Sequence, residues 1–293
     1  METKGTIFYS KKILNLQGEL LSLDAPVVMG ILNITPDSFY DGGQYNLPSQ
    51  VLDKATQLVN EGAKILDVGG YSSRPGGDHI SEKEEITRVI PAIQAIAEAF
   101  PDTVISVDTF RAGVAREAVQ AGAHIINDVS GGTLDAEMYA TVADLKVPYV
   151  LMHMRGTPQT MTTLNQYTHL VYEVLQDLQQ KVAQLRALGV HDVIIDPGFG
   201  FAKNIGQNFH LMEHLGILKA LGLPVLVGVS RKSMIYKTLQ TTPDEALNGT
   251  IALNTIALQK GANILRVHDV KAAVETLKMV GKLNEYKEKG EWK

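Results

Sequence analysis

Five times in this sequence a glycine stands shortly ahead of an apolar run. Gly62 precedes Ile65-Leu66, Gly122 precedes Ile125-Ile126, Gly189 precedes Val193-Ile194-Ile195, Gly222 precedes Val225-Leu226-Val227, and Gly261 precedes Ile264-Leu265. A glycine just past a helix end supplies the left-handed residue that lets the chain reverse. Short runs that are apolar at every position belong to strands buried on both faces, as in parallel sheets. The repeat therefore reads as serial βα units. It predicts eight strands, at 26–33, 64–69, 103–108, 124–129, 148–154, 192–196, 224–230 and 263–268. Between them, Ile86, Val89, Ile90, Ile93, Ile96 and Phe100 recur at helical spacing. So do Val171, Val174, Leu175, Leu178, Val182 and Leu185, and, in the last helix, Val270, Ala273, Val274, Leu277 and Val280. Pro91 is expected to kink the first of these helices.

The chain of 293 residues is 45% hydrophobic and 20% charged, which excludes disordered and fibrous classes. Its length fits two average domains or one eightfold barrel of roughly 250 residues. No linker rich in Ser, Pro or charge divides it. The expected fold is a single α/β chain, a TIM-type (β/α)8 barrel over 26–285. Residues 1–25 are expected to form a hairpin about Gly18 that closes the barrel bottom, and 286–293 a polar tail. An open doubly wound sheet would want a phosphate fingerprint in its first βα turn. Neither GxGxxG nor GxxxxGK[ST] occurs in the chain. The absence of cysteine removes disulfides, thiolate nucleophiles and cysteine metal sites. A net charge of −5 argues against a protein that coats nucleic acid. The opening Met1-Glu2-Thr3-Lys4 has no apolar signal core, and no apolar run approaches membrane length, so a cytoplasmic location is expected.

In such barrels the active site lies where the strands end. The polar residues there are Asn33, Asp67, Asp108, Asn127, Asp128, His153, Arg155, Asp196, Ser230, Arg231, Lys232, Arg266 and His268. Asp108, Asn127 and Asp196 are acceptors on different strands. A flat heterocycle with an amino group beside a ring N–H presents the paired donors that carboxylates bind. Arg74, Lys232, Arg266 and His268 would suit a phosphate or diphosphate. Each such residue alone has a structural reading: a single Asp after a strand often caps a helix, and Asp128 fits that role. Two Gly-rich loops stand out, 33–43 and 71–79. Phe39 and Tyr40 are loop aromatics that could close over a ligand. Asn33 and Asp37 offer oxygens suited to Mg²⁺ held jointly with a substrate phosphate.

Taken together, seven segments resemble the dihydropteroate synthase family. They are Met29 to Phe39, Asp67 to Pro75-Gly76, Ser106 to Thr109, Ile126 to Gly132, Asp196 to Phe201, Gly228 to Ser233, and Arg266 to Asp269, in family order. The resemblance implies an enzyme that joins 6-hydroxymethyl-7,8-dihydropterin diphosphate to p-aminobenzoate, releasing diphosphate. It implies that Asp108, Asn127, Asp196 and Lys232 hold the pterin ring. Asn33, Arg74, Arg266 and His268 would hold the diphosphate with Mg²⁺. Ser73, Pro75, Phe201, Lys232 and Ser230 would border the aminobenzoate. Asp37 and Phe39 would contact substrate, and the assembly would be a homodimer. Ser73 stands where many members have Thr, and Tyr71 where they have Glu or Gln.

Three other readings compete. A pterin-binding, corrinoid-dependent methyltransferase would share the ring acceptors but hold no diphosphate. A pterin sensor would bind without catalysis. His210-Leu211-Met212-Glu213-His214 matches a zincin pattern, although a helix between strands lies on the outside of a barrel. Asn33-Ile34-Thr35 fits a glycosylation triplet, but nothing in the chain marks it for secretion.

Overall fold

The computed structural model describes residues 11–34, 47–71, 79–157 and 160–289. A small antiparallel hairpin comes first, β1 (Ile13–Leu16) and β2 (Glu19–Ser22). Its turn needs positive φ at both central positions, 57° at Gln17 and 114° at Gly18, so a glycine stands at the more demanding one. Eight parallel strands follow: β3 (Val27–Asn33), β4 (Ile65–Gly69), β5 (Val104–Asp108), β6 (Ile125–Asp128), β7 (Tyr149–Met152), β8 (Val193–Asp196), β9 (Leu226–Val227) and β10 (Ile264–Val267). They pair in the order β8-β7-β6-β5-β4-β3-β10-β9. The single parallel bridge Ile195↔Val225 joins the two ends and closes the barrel.

The helices connecting the strands include α1 (Leu47–Asn60), α2 (Glu82–Ala99), α3 (Ala112–Gln120), α4 (Met138–Leu145), α5 (Leu170–Ala187), α6 (Ile205–Glu213), α7 (Ser233–Tyr236), α8 (Leu247–Lys260) and α9 (Val270–Lys289). Their starts are set by local chemistry. Ser81 caps α2 by accepting from Glu84 N, ahead of three glutamates in the first turn. Asn204 and Gln207 form a reciprocal capping box on α6. α2 continues through Pro91 as one helix. α9 runs to Lys289, so the polar stretch from 286 begins as the end of that helix.

Two apolar layers hold the barrel. The larger lies between strands and helices, with Leu32, Val68, Val107, Tyr149 and Ile195 facing Leu58, Ile93, Val114 and Leu178. The smaller fills the barrel bottom. Met29, Ile65, Ile125, Val150, Ile194, Leu226 and Ile264 come from seven strands and meet Leu14, Leu16 and Leu23 of the hairpin segment. The hairpin therefore plugs one end of the barrel and leaves the other for chemistry. Among the described residues, no helix is long and apolar enough to cross a membrane.

Candidate functional site at the strand ends

At the open end, β10 delivers Arg266 between two carboxylates. Its Nε donates to Asp67 Oδ2 at 2.6 Å and its Nη2 to Asp108 Oδ2 at 2.6 Å. Asp67 Oδ2 also accepts from Asn127 Nδ2 at 2.9 Å. That bond engages one N–H of the Asn127 carboxamide and fixes which way its oxygen points. Asp67 is fully buried, and its other oxygen has no hydrogen-bond partner among the described residues. The strand-end reading noted Asp67 but assigned it no ligand role, whereas the structure places it as the hub that orients Asn127 and Arg266. The sequence did hold a signal: a carboxylate within the apolar β4 needs a buried partner, and β10 carries one cation amid apolar neighbours.

Asp196 ends β8 and turns back to accept from Gly198 N at 2.7 Å. The chain then runs past Lys232, whose Nζ donates to Phe199 O at 2.5 Å and stands 4.7 Å from the Phe201 ring centroid. That placement is a cation–π contact. Burial pushes Asp108 up to about 7; the Arg266 charge opposes the rise and Asp67 adds to it. Burial also raises Asp196, against the Lys232 charge and the Gly198 N–H. Lys232 is lowered to about 8 by burial, against the pull of Asp196. The rim thus offers acceptors at Asp108, Asn127 and Asp196, interleaved with the cations Lys232 and Arg266.

Ser230 and His268 meet at the β9 and β10 ends. Ser230 Oγ lies 3.1 Å from His268 Nδ1 and accepts from His268 N at 3.2 Å. Asn33 ends β3 opposite Gly69. A Cβ at Gly69 would sit 3.6 Å from Asn33 Oδ1 and 3.3 Å from Asp108 Cβ, so the carboxamide oxygen and Asp108 both border that glycine. Among the described residues no three His, Cys, Asp or Glu gather as a metal cage. One neutral oxygen donor beside a carboxylate fits a hard cation shared with a phosphate-bearing ligand.

Other strand-end residues have structural partners. Asp128 accepts from Ser130 N, Gly132 N and Tyr149 Oη and builds the turn after β6. Arg155 pairs with Glu173 at 2.7 Å. Arg231, with φ 56°, is held by Asp269 through Nε and Nη2. Arg111 binds the buried Glu85 and donates to Ile80 O at 2.7 Å, and Tyr71 stacks edge-on against Phe110. Asp37, Phe39, Tyr40, Ser73, Arg74 and Pro75 lie outside the described residues. His210 and His214 sit on α6 and just beyond it, their rings 4.5 Å apart, with His214 Nδ1 2.9 Å from His210 O. They line an outer groove of about 770 Å³ with Tyr167, Tyr172 and Ile217. The zincin pattern therefore falls on the barrel exterior.

The family described as pterin binding enzyme matches residues 29–268. A dihydropteroate synthase of Synechocystis sp. is 48% identical over 259 residues, covering 87% of this chain and 89% of its own. The fold superimposes with a TM-score of 0.88 on a Yersinia pestis dihydropteroate synthase bound to a sulfonamide drug, at 41% identity over 93% of this chain and 99% of that one. It does so equally, at 0.88, on the Xanthomonas albilineans enzyme bound to 4-aminobenzoic acid, at 40% identity over 94% and 99%.

Proposed function

Because the chain belongs to the pterin-binding enzyme family, among its dihydropteroate synthases, we infer from its rim how it carries out their reaction. The enzyme transfers a pterinylmethyl group. It condenses 6-hydroxymethyl-7,8-dihydropterin diphosphate with p-aminobenzoate to give 7,8-dihydropteroate and diphosphate. The observation that carries the residue assignment is the set of acceptors at Asp108, Asn127 and Asp196 around the Arg266 fork.

The ring's amino group and N–H donate to the carboxylates, and Asn127, its orientation fixed by one N–H on Asp67, offers its oxygen as a further acceptor. Lys232 donates to the ring's acceptor side. Arg266 and His268 face the diphosphate, with Arg74, and Phe201, Ser230, Ser73 and Pro75 border the arylamine. Asp37 and Phe39 of the first loop would contact substrate. Diphosphate leaves first, and the electron-rich pterin carries positive charge at its exocyclic carbon. The Asp108 and Asp196 carboxylates favour that charge. The aminobenzoate nitrogen then attacks the same carbon and loses a proton. No protein nucleophile is needed. Mg²⁺ held by Asn33 Oδ1 and the diphosphate would neutralise charge on the leaving group when bound.

The enzyme works as a cytoplasmic homodimer in this reading. Ile205, Phe209 and Ile217 around α6, with Leu247 and Ile256 on α8, leave apolar side chains exposed that a second copy would cover. Light scattering at micromolar protein should give twice the chain mass. For the reaction, the purified protein is incubated with Mg²⁺ and both substrates, alongside Lys232→Ala and Asp108→Asn. Equal yields of dihydropteroate and diphosphate, strongly reduced in both variants, are expected. A protein that binds pterin yet forms no product would instead point to corrinoid-dependent methyl transfer.

A further inference from the structure

Beneath the loop that follows β8 lies a buried ammonium that the reaction does not use. Lys203 is 8% exposed, and its Nζ meets three acceptors: Gly198 O at 2.9 Å, Phe201 O at 3.0 Å and His153 Nδ1 at 3.0 Å. An ammonium has three N–H donors and no acceptor, so the count of partners is complete. His153 is itself buried. Burial, then the charges of Lys203, Lys181 and Arg155, hold it well below its usual range, so its ring stays neutral and can accept.

The same loop is pressed against the end of β7. Gly198 has φ 71°, and a Cβ there would stand 2.0 Å from His153 O. His153 N donates to Asp196 O at 2.9 Å, and Gly200 N donates to Asn208 Oδ1 at 2.7 Å. The loop's carbonyls therefore divide. Those of Gly198 and Phe201 turn inward to Lys203, while that of Phe199 faces Lys232.

We propose that Lys203 is a positioning residue: by gathering the Gly198 and Phe201 carbonyls and the His153 ring, it sets Phe199 O and the Phe201 ring against Lys232 and so shapes the arylamine side of the site. This rests on the reaction assigned above, in which Phe201 and Lys232 border the aminobenzoate. The ammonium has a second, electrostatic effect. Burial raises Asp196, and Lys232, the Gly198 N–H, Arg266 and Lys203 each pull against that rise. Burial lowers Lys203 itself to about 7; Asp196 and Asp177 oppose the fall and Lys232 and Arg155 add to it, so its charge is full only below that pH.

The test compares native enzyme with Lys203→Met, Lys203→Arg and His153→Phe. Thermal melts establish folding, and each variant is assayed for KM of both substrates and for the pH profile of kcat/KM. Lys203→Met is expected to raise the aminobenzoate KM at least about tenfold, with a smaller effect on the pterin substrate. Removing a cation near Asp196 should move the acid limb to higher pH. Lys203→Arg should return that limb towards its native position, because it restores the charge. His153→Phe removes one acceptor and should raise the aminobenzoate KM in the same direction by less. A folded Lys203→Met enzyme with native KM and a native acid limb overturns the proposal. Should that variant not fold, an unchanged aminobenzoate KM in His153→Phe overturns it. If the native enzyme forms no dihydropteroate, the reaction assignment fails and the proposal with it.

Discussion

Asp108 and Lys232 bracket neutrality from opposite sides, for the same reason. Burial disfavours charge on each, raising the acid to about 7 and lowering the base to about 8. In the proposed mechanism, ring binding needs Asp108 as the carboxylate and Lys232 as the ammonium. Protonation of Asp108 as pH falls below about 7 removes an acceptor, and deprotonation of Lys232 above about 8 removes a donor. The kcat/KM for the pterin diphosphate should therefore be a narrow bell centred between those values, read from initial rates across pH 5.5–9.5 as an assay range. Asp108→Asn should remove the Asp108 component near pH 7 from the acid limb and leave the component that belongs to Asp196. It exchanges a charge-assisted contact for a neutral one, at a cost of about 2–3 kcal/mol, or roughly 30- to 150-fold in kcat/KM. An unaltered acid limb in that variant would assign it to another group.

Among the elements, the turn after β6 separates framework from chemistry most clearly. Asp128 is a fully buried carboxylate satisfied by two backbone N–H groups and the Tyr149 hydroxyl. Tyr149→Phe removes the 2.7 Å bond without changing ring volume. It should lower stability by about 1–3 kcal/mol in urea titrations while leaving the KM values near native. A large change in KM with native stability would instead bring Asp128 to the substrate. The elements were largely legible in advance, because Gly caps and fully apolar runs are local signals. Their ends were less so. The run at 148–154 stops as a strand at Met152, yet Met154 remains buried in a cluster with Val129 and Met161. The run at 224–230 keeps only Leu226–Val227 in the ladder, though Val229 is fully buried. Apolarity marks burial and not backbone pairing. The rim acceptors were legible because a barrel converges its strand ends. The partnership of Asp67 with Arg266 spans 199 positions and has no local pattern. Lys203 looked like an ordinary loop lysine until its three acceptors were placed around it.

Across the whole molecule, stability and catalysis sit at opposite ends of one barrel. Leu14 is fully buried against residues from the strand starts, while the rim stands at the strand ends. Leu14→Ala should cost about 2–5 kcal/mol of unfolding free energy, seen as a lower melting temperature. In the folded fraction kcat should stay within about twofold of native, since no described rim residue touches the hairpin; a kcat that falls in step with the melting temperature would contradict this division.

The barrel is also unevenly hooped. β9 contributes two residues to its pairing with β10, and on its other side the circle closes through Ile195↔Val225 alone. Every other stave is fastened along three or more residues. Any swelling of the ring is taken up at this seam, which lies directly below Asp196 on one side and Ser230-Arg231-Lys232 on the other. A guest wedged at the mouth will be felt there first. The amides of Val225, Leu226 and Val227 become a built-in strain gauge, whose exchange with deuterium slows when the mouth is filled.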